Sequence, residues 1–400
     1  MAKRAGRITT SVCVLAAVAG SALSATSAGA KAKATATDTA SVAYQINAAH
    51  DGGQVDPQFA LPLKKQWAAT FEGNIGYPLI AEHRVFVVAE HHGTKKGASV
   101  SALNLDTGAP LWGPVDIGGT HSKFGAIAYD GGRVFGYNGD GGLTAIDAAT
   151  GAVDWSESLP DQYATTSPPT ATNGVVYVTG SGSTPSLFAI DAATGHVDWS
   201  AAIDNGAHSA PAVDASGVYV SFDCGAYSFT TTGGGRWSTY SAACSGGQGR
   251  TVALHGGNVY TRTSTRDGAL AEADGSNAQA FPGRTIPAFA GTTTLSNIGS
   301  VDAFDPAGAI LWQNRDGAYV GSPIVVNGYV IAADNDGRVH AIDAATGRGK
   351  WSGRVATTLT DPDEYGPHVL TGFAEAEGHV AIPTAHKLVV FASKRPPKAG

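Results

Sequence analysis

Residues 145–155 read AIDAATGAVDW, and near-identical copies lie at residues 189–199 (AIDAATGHVDW) and 341–351 (AIDAATGRGKW). Looser copies are ALNLDTGAPLW at 102–112, SFTTTGGGRW at 228–237 and AFDPAGAILW at 303–312. The tryptophans of the chain lie at Trp67, Trp112, Trp155, Trp199, Trp237, Trp312 and Trp351. Phe281 stands near the middle of the one long interval, so the period is about 40 residues. A period of this length indicates a chain built from repeated structural units.

Each unit contains turn signals that divide it into four short strands. A Gly turn precedes a β-branched and aromatic run such as VVYVTG (175–180), and a second polar turn leads to Ala-Ile-Asp. The Asp of the motif is predicted to accept hydrogen bonds from the turn that follows it, and the Gly supplies a left-handed residue. The Trp is predicted to fill the space between neighbouring sheets. The Asp and Gly positions of the three best copies are Asp147 and Gly151, Asp191 and Gly195, and Asp343 and Gly347.

A four-stranded unit cannot bury both of its faces alone, whereas a radial arrangement buries each face on a neighbour. The sequence therefore predicts an all-β fold, an eight-bladed β-propeller of four-stranded antiparallel blades spanning residues 65–393. The last unit, 368–393, stops before its fourth strand, while residues 65–71 (KQWAATF) lack three preceding strands. We expect the N- and C-terminal segments to pair and close the ring.

Composition excludes several other classes. The chain has 400 residues, 53 of them Gly, with 43% hydrophobic and 15% charged residues. A coiled coil would carry far less Gly, a disordered acidic chain would carry fewer apolar residues, and collagen needs Gly at every third position. The formal net charge of −7 disfavours nucleic acid as a partner.

Residues 1–30 are predicted to be a signal peptide, with basic residues before an apolar stretch at 8–23 and Ala28-Gly29-Ala30 as the cleavage site. A membrane anchor is the alternative, but the apolar stretch is shorter than the ~20 residues a bilayer requires. We expect a secreted monomer in the extracellular or cell-envelope space, with no membrane span after cleavage. Residues 31–64 are predicted to be a linker and N-terminal segment, and 394–400 a disordered tail. Cleavage lowers the formal net charge to −10 and removes Cys13.

The motif A-x-D-x-x-T-G-x-x-x-W resembles the repeat of the pyrroloquinoline quinone (PQQ) type propellers over residues 65–393. That family includes quinoprotein dehydrogenases and non-catalytic members such as the β-barrel-assembly lipoprotein of Gram-negative outer membranes. In the alcohol dehydrogenases the cofactor lies over a Trp and under a disulfide between adjacent cysteines, with Ca²⁺ beside it. Cys224 and Cys244 are not adjacent here. The resemblance therefore implies a non-catalytic exported member with no cofactor, and PQQ with Ca²⁺ is the alternative.

Cys224 and Cys244 remain after cleavage of the signal peptide. In a propeller, the loops between blades share one face with the loops that join second to third strands, and both cysteines fall on this top face. In an oxidising compartment they are predicted to form a disulfide contributing roughly 3 kcal/mol. A redox-active pair is the alternative, although no C-x-x-C motif supports it.

The top-face loops also carry polar and aromatic residues that could ring the mouth of the central channel and bind a ligand. These candidates are Tyr77, His121, Tyr163, His208, Arg250, Tyr319, Glu364 and Tyr365. Each is alternatively a solvated loop residue or a turn cap. Neither Asp361-Pro362-Asp363-Glu364 nor Asp334-Asn335-Asp336-Gly337 offers the 6–8 oxygens that Ca²⁺ needs, so no metal site is predicted.

These observations predict a binding or scaffold module that uses the top face, with an envelope or extracellular protein or glycan as partner. A PQQ-dependent dehydrogenase of alcohols or sugars is one alternative. A propeller hydrolase or lyase using His121, His208 and Glu364 is another. The sequence has no G-x-S-x-G or H-E-x-x-H motif, so we expect binding rather than catalysis.

Overall fold

The computed structural model describes residues 39–394, apart from 164–165, 185, 205–207, 223, 240–249, 263–266, 282, 284, 298, 357–358 and 360–367. The predicted signal peptide and most of the predicted tail lie outside these residues. The described part of the chain is all-β. None of its segments forms a helix long and apolar enough to cross a membrane.

Eight four-stranded antiparallel sheets form the blades of a propeller, with strands in chain order from the inside outwards. Two strands, β1 (Gly53–Gln54) and β2 (Leu63–Thr70), precede the first blade. Blade I comprises β3 (Leu79–Ala81), β4 (Arg84–Glu90), β5 (Ala98–Asn104) and β6 (Pro110–Asp116), and blade II comprises β7 (Gly125–Asp130), β8 (Arg133–Asn138), β9 (Gly142–Asp147) and β10 (Val153–Ser158). Blade III comprises β11 (Thr170–Thr172), β12 (Val175–Gly180), β13 (Ser186–Asp191) and β14 (Val197–Ala202). Blade IV comprises β15 (Ala212–Val213), β16 (Val218–Phe222), β17 (Gly225–Phe229) and β18 (Gly235–Ser238).

The second half of the ring has the same plan. Blade V comprises β19 (Ala253–His255), β20 (Asn258–Arg262), β21 (Asp267–Ala271) and β22 (Asn277–Ala280), and blade VI comprises β23 (Ala288–Ala290), β24 (Thr293–Asn297), β25 (Val301–Phe304) and β26 (Ile310–Asn314). Blade VII comprises β27 (Tyr319–Val326), β28 (Tyr329–Asp334), β29 (Arg338–Asp343) and β30 (Gly349–Arg354). Blade VIII comprises β31 (Ala374–Ala376), β32 (His379–Pro383) and β33 (Lys387–Ser393), with β2 as its outer strand. The predicted fold is confirmed.

Burial follows the position of a strand in its blade. The second strand β12 is buried along almost its whole length, whereas the outer strand β14 alternates between half-buried and exposed residues. A strand that neighbouring blades cover on both faces has a continuous apolar sequence. A strand at the rim of the propeller is covered less by those blades. The core is accordingly a series of apolar layers between adjacent blades.

The repeat motif builds both a turn and a contact between blades. Asp147 Oδ1 accepts hydrogen bonds from the backbone N (2.8 Å) and Oγ1 (2.7 Å) of Thr150, and Gly151 adopts φ 76°. Trp112 of the preceding blade packs on Gly151 and donates from Nε1 to Ala148 O at 2.9 Å. The same Nε1–carbonyl bond joins Trp67 to Leu105, Trp155 to Ala192, Trp199 to Thr231, Trp237 to Glu272, and Trp312 to Ala344.

The ring closes between the two ends of the chain, as predicted. Strand β2 pairs antiparallel with β33 over the whole length from Leu63 opposite Ser393 to Thr70 opposite Lys387. Trp67 of β2 then packs on Gly108 of blade I. The eighth blade therefore combines three strands from the C-terminal end with one from the N-terminal end. In the outer strand of blade VII, Trp351 packs edge-on against Phe391 of blade VIII, with ring centroids 5.3 Å apart.

The segment before β2, residues 39–62, forms what we call the N-terminal plug. The carbonyl oxygens of Val42, Ala48 and Ala49 accept hydrogen bonds at 2.8 Å from the first strands of blades II, IV and V, while β1 pairs in parallel with β27 of blade VII. These bonds lie near the turns that join first to second strands, on the face opposite the top. The free inner edges of the first strands need hydrogen-bond partners, and the plug supplies them across the bottom mouth of the channel.

Candidate functional site

Two of the predicted mouth residues are buried between strands instead. Tyr77 is 1% exposed, and its hydroxyl donates to Ile127 O at 2.5 Å, linking the segment just before β3 to β7 of blade II. Tyr319 is 4% exposed, and its hydroxyl donates to Asn314 Oδ1 at 2.6 Å. Burial raises the pKa of both phenols. A Tyr ring fills an apolar gap while its hydroxyl finds a partner, which corrects the prediction that these side chains line the mouth.

His208 and Arg250 lie where the first strands of blades IV and V begin. His208 is buried, with Nδ1 2.6 Å from Thr166 Oγ1, and has a left-handed φ of 66°. The backbone carbonyl of Arg250 accepts a hydrogen bond from Ser221 Oγ at 2.9 Å, which ties blade IV to blade V. Both residues therefore contribute to the joint between blades in this part of the ring.

His121 and Tyr163 are exposed and lie in loops of the top face. His121 Nδ1 lies 2.9 Å from Asp140 Oδ1, and Asp140 also accepts a hydrogen bond from Thr120 Oγ1 at 2.7 Å. These hydrogen bonds lower the pKa of Asp140 against the opposing effect of its burial. Tyr163 follows the outer strand of blade II and is 53% exposed. Glu364 and Tyr365 lie outside the described residues, so a ligand-binding role for these top-face groups stays a prediction.

Sequence reasoning missed three further histidine–carboxylate pairs on the top face. They are His368 with Glu90 at 2.8 Å, His91 with Asp116 at 3.3 Å, and His340 with Asp334 at 2.7 Å. Each carboxylate is the last residue of its strand, in β4, β6 and β28. For Glu90 and Asp334 that position was a signal available in the sequence, because a polar residue that ends a buried strand faces the loops. With His121 and Asp140, the pairs extend over blades VII, VIII, I and II.

The Glu90 pair combines a buried carboxylate with an accessible imidazole. The Glu90 side chain is 2% exposed and also accepts a hydrogen bond from Asn74 Nδ2 at 3.0 Å, whereas the His368 side chain is 59% exposed. Because a carboxylate accepts, His368 donates from Nδ1 in this pair. This arrangement fixes the ring and leaves the imidazole able to bind an incoming polar group.

The structure describes one of the two cysteines of the predicted disulfide. Cys224 follows β16 and is 7% exposed. Cys244 lies outside the described residues, so the pairing stays a prediction.

The described tryptophans do not offer the stacking surface that the PQQ alternative requires. They lie on the outer strands, away from the channel. The ring of Trp112 packs on Gly151, that of Trp155 on Gly195 and that of Trp312 on Gly347, so each is covered by the next blade. No three candidate metal ligands in the described part of the chain are arranged around a common point. The expectation that the chain binds no cofactor stays a prediction.

Several solved structures share this fold. BamB from Moraxella catarrhalis is 18% identical, with a TM-score of 0.60 over 84% of this chain and 99% of that chain. A europium-containing methanol dehydrogenase is 14% identical, with a TM-score of 0.62 over 89% and 98% of the two chains. The computationally designed Ika8 protein is 16% identical, with a TM-score of 0.63 over 81% and 98%. At these identities the likeness shows the fold alone. No curated protein matches this sequence.

A family model described as outer membrane protein assembly factor BamB matches the chain in overlapping stretches. The matched residues are 64–167, 96–242, 164–303 and 281–362. They cover most of the propeller and contain every complete copy of the repeat motif. The chain therefore belongs to the family of PQQ-like repeat β-propellers that this model represents.

Proposed function

We propose that this chain is an exported scaffold of the cell envelope or exterior that binds a protein partner through its top-face loops. The observation that carries the proposal is the N-terminal plug. It crosses the bottom mouth and occupies inner strand edges in five blades, where Ser41, Val42, Ala48, Ala49 and Gly52 bond to the first strands. An approaching partner therefore meets open loops at the top and a closed mouth at the bottom.

The chemistry of the top face suits a protein partner. Exposed imidazoles at His121 and His368, the exposed ring of Tyr163 and the Lys95 ammonium beside Asp116 are groups that hydrogen-bond and pack at interfaces. The bottom offers mainly the short turns of the repeat motif, whose Asp and Thr side chains already bond to each other. The top face is therefore the richer recognition surface.

The comparisons with known proteins also favour a protein-binding role, without indicating a particular partner. The matching family model is described as an assembly factor of the outer membrane, and one similar structure is a BamB protein. Together with the predicted signal peptide at residues 1–30, this favours a partner in the cell envelope or outside the cell.

Site-specific photocrosslinking in the cells that produce the protein tests the proposal. A photoreactive residue replaces Tyr163, His121 or His92 on the top face, or the exposed Ala149, Ala193 or Ala345 in the bottom turns as matched controls. We expect one shared protein adduct from the top-face positions and none from the controls. The same adduct from the bottom turns, or no adduct from any top-face position, would contradict the proposal.

The dehydrogenase alternative makes a separate prediction. Titration of the mature protein with PQQ and Ca²⁺, followed by heat and visible absorbance, would give saturable stoichiometric binding if the chain were a quinoprotein. We expect no saturation, because the tryptophan rings are covered by neighbouring blades. Stoichiometric quinone binding would overturn the scaffold proposal in favour of an alcohol or sugar dehydrogenase.

A further inference from the structure

Two imidazoles and two carboxylates meet on the bottom face, at the seam between blades VIII and I. His83 lies in the turn between β3 and β4, and Asp106 in the turn after β5. Glu377 lies in the turn before β32 of blade VIII, and His379 is the first residue of that strand. His83 and Glu377 are 294 residues apart in sequence. This cluster is remote from the top face and has no part in the proposed function.

Glu377 orients both imidazoles in the same way, because each ring bonds through Nδ1 to an oxygen of this residue. His83 Nδ1 lies 2.9 Å from a carboxylate oxygen of Glu377, and His379 Nδ1 lies 2.7 Å from its backbone carbonyl oxygen. Both oxygens accept hydrogen bonds, so both rings donate from Nδ1 and present Nε2 on the other side. Histidines that bind metals are held in this way, with the second nitrogen donating to a carboxylate or a carbonyl.

Both Nε2 atoms are directed at Asp106. His83 Nε2 donates a hydrogen bond to Asp106 Oδ2 at 3.0 Å, and a metal bound at this nitrogen would displace that proton. His379 Nε2 lies 3.6 Å from Asp106 Oδ1. Two ligand atoms on a tetrahedral zinc ion lie about 3.3 Å apart, given bonds of about 2.0–2.1 Å. The observed separations bracket that value. Two imidazoles with one carboxylate form a donor set that suits divalent transition metals.

His379 supplies an independent indication of a missing partner. Its Nε2 is buried and has no hydrogen-bond partner, and its side chain is 5% exposed. In the neutral ring this atom carries a lone pair, which here faces a carboxylate oxygen. A buried acceptor facing an anion is an unfavourable arrangement, and a cation bound between them would give His379 Nε2 a partner.

The surroundings give such a cation room and access. A cavity of about 320 Å³ beside the cluster is lined by Asp106, Glu377 and His379, together with Gln58 and Ser393. The Asp106 and His83 side chains are each more than a third exposed. With His83 hydrogen-bonded to Asp106, no three ligands in the described residues yet surround one point. Rotation of Asp106, which lies in an exposed turn, would open that point.

We propose that His83, Asp106 and His379 bind a divalent transition metal of the zinc type at the seam of blades VIII and I, with Glu377 as a positioning residue. The open coordination position faces the cavity and takes a water molecule. The metal joins turns from the two blades beside the place where β2 closes the ring. Binding therefore stabilises ring closure.

Titration of the mature protein with zinc chloride alone, followed by calorimetry, tests the site. We expect one saturable site of micromolar or tighter affinity and a rise in melting temperature with added zinc. The variants Asp106→Asn and His379→Gln should each weaken binding at least about tenfold, and Glu377→Gln about 10- to 100-fold. Cobalt(II) absorbance in the visible range reports the coordination geometry independently of stability.

Asp140→Asn is the matched control, because it alters a histidine–aspartate pair on the opposite face. This variant should bind zinc like the parent protein. Asp106→Asn changes an exposed turn residue and keeps the test available if the buried His379→Gln variant fails to fold. Absence of saturable zinc binding, or unchanged affinity and stoichiometry in Asp106→Asn, would overturn the proposal.

Discussion

Glu375 lies in β31 of blade VIII, and both of its carboxylate oxygens are buried without a hydrogen-bond partner. Burial, together with the neighbouring Asp56, raises its pKa well above the usual value. Asp56 itself accepts hydrogen bonds from the backbone N of Gln58 at 2.8 Å and of Gly378 at 2.5 Å. The residue pair therefore joins the N-terminal plug to blade VIII, in an environment that favours the protonated form of the Glu375 carboxyl.

This arrangement predicts a pH dependence with a definite sign. The folded protein keeps the Glu375 proton at pH values where the unfolded chain has lost it, so stability falls as pH rises above 4.5, the ordinary value for Glu. The slope is about 1.4 kcal/mol per pH unit within that window. Glu375→Gln should remove this contribution, as measured by urea unfolding between about pH 5 and pH 8. Glu157→Gln, on an exposed strand, is the control, and equal slopes in Glu375→Gln and the parent would contradict the prediction.

At the scale of the element, the glycine that follows Thr in the repeat motif serves two purposes. Gly151 has a left-handed φ of 76°, and a Cβ added there would lie 2.8 Å from the ring of Trp112. Gly132 in the same blade has φ 82° and open space around the same position. The two glycines share the backbone requirement and differ in the tryptophan contact.

The pair of variants Gly132→Ala and Gly151→Ala separates these two effects. Left-handed backbone strain should cost Gly132→Ala about 1–2 kcal/mol. Gly151→Ala should lose that amount and about 1–3 kcal/mol more, because the methyl group displaces Trp112 of the preceding blade. Chemical denaturation measures both free energies of unfolding. Equal losses would show that the packing of Trp112 on the turn adds nothing to stability.

At the scale of the whole molecule, stability depends on how the ring is closed. A chain that begins at Leu63 lacks the N-terminal plug, and one that begins at Phe71 also lacks β2, leaving the edge of β33 unpaired. The first truncation should lower the melting temperature, and the second should lower it further and promote aggregation through the open edge. Calorimetry and light scattering measure these effects. A chain ending at Lys394 is the control, and a full-length melting temperature in the Phe71 truncation would contradict this account of closure.

The local parts of the fold were accessible from the sequence because their interactions span few residues. The Asp147–Thr150 turn depends on groups three positions apart, and the period of the tryptophans follows from one structural unit repeated. Counting strands was enough to predict that residues 65–71 complete the last blade. The positions of Tyr77 and Tyr319 could not be read in this way, because a tyrosine near a loop is compatible with exposure or with burial between blades.

By itself, the sequence determined the eight repeats, the four strands in each and the need for the chain ends to meet, because turns and strand patterns are set by neighbouring residues. The tertiary structure alone decided that residues 39–62 cross the bottom mouth, that Tyr77 joins blades I and II, and that His83 meets Glu377. The Tyr77–Ile127 and His83–Glu377 contacts join groups 50 and 294 residues apart. Their energy depends on which surfaces the closed ring brings together, which no local pattern encodes.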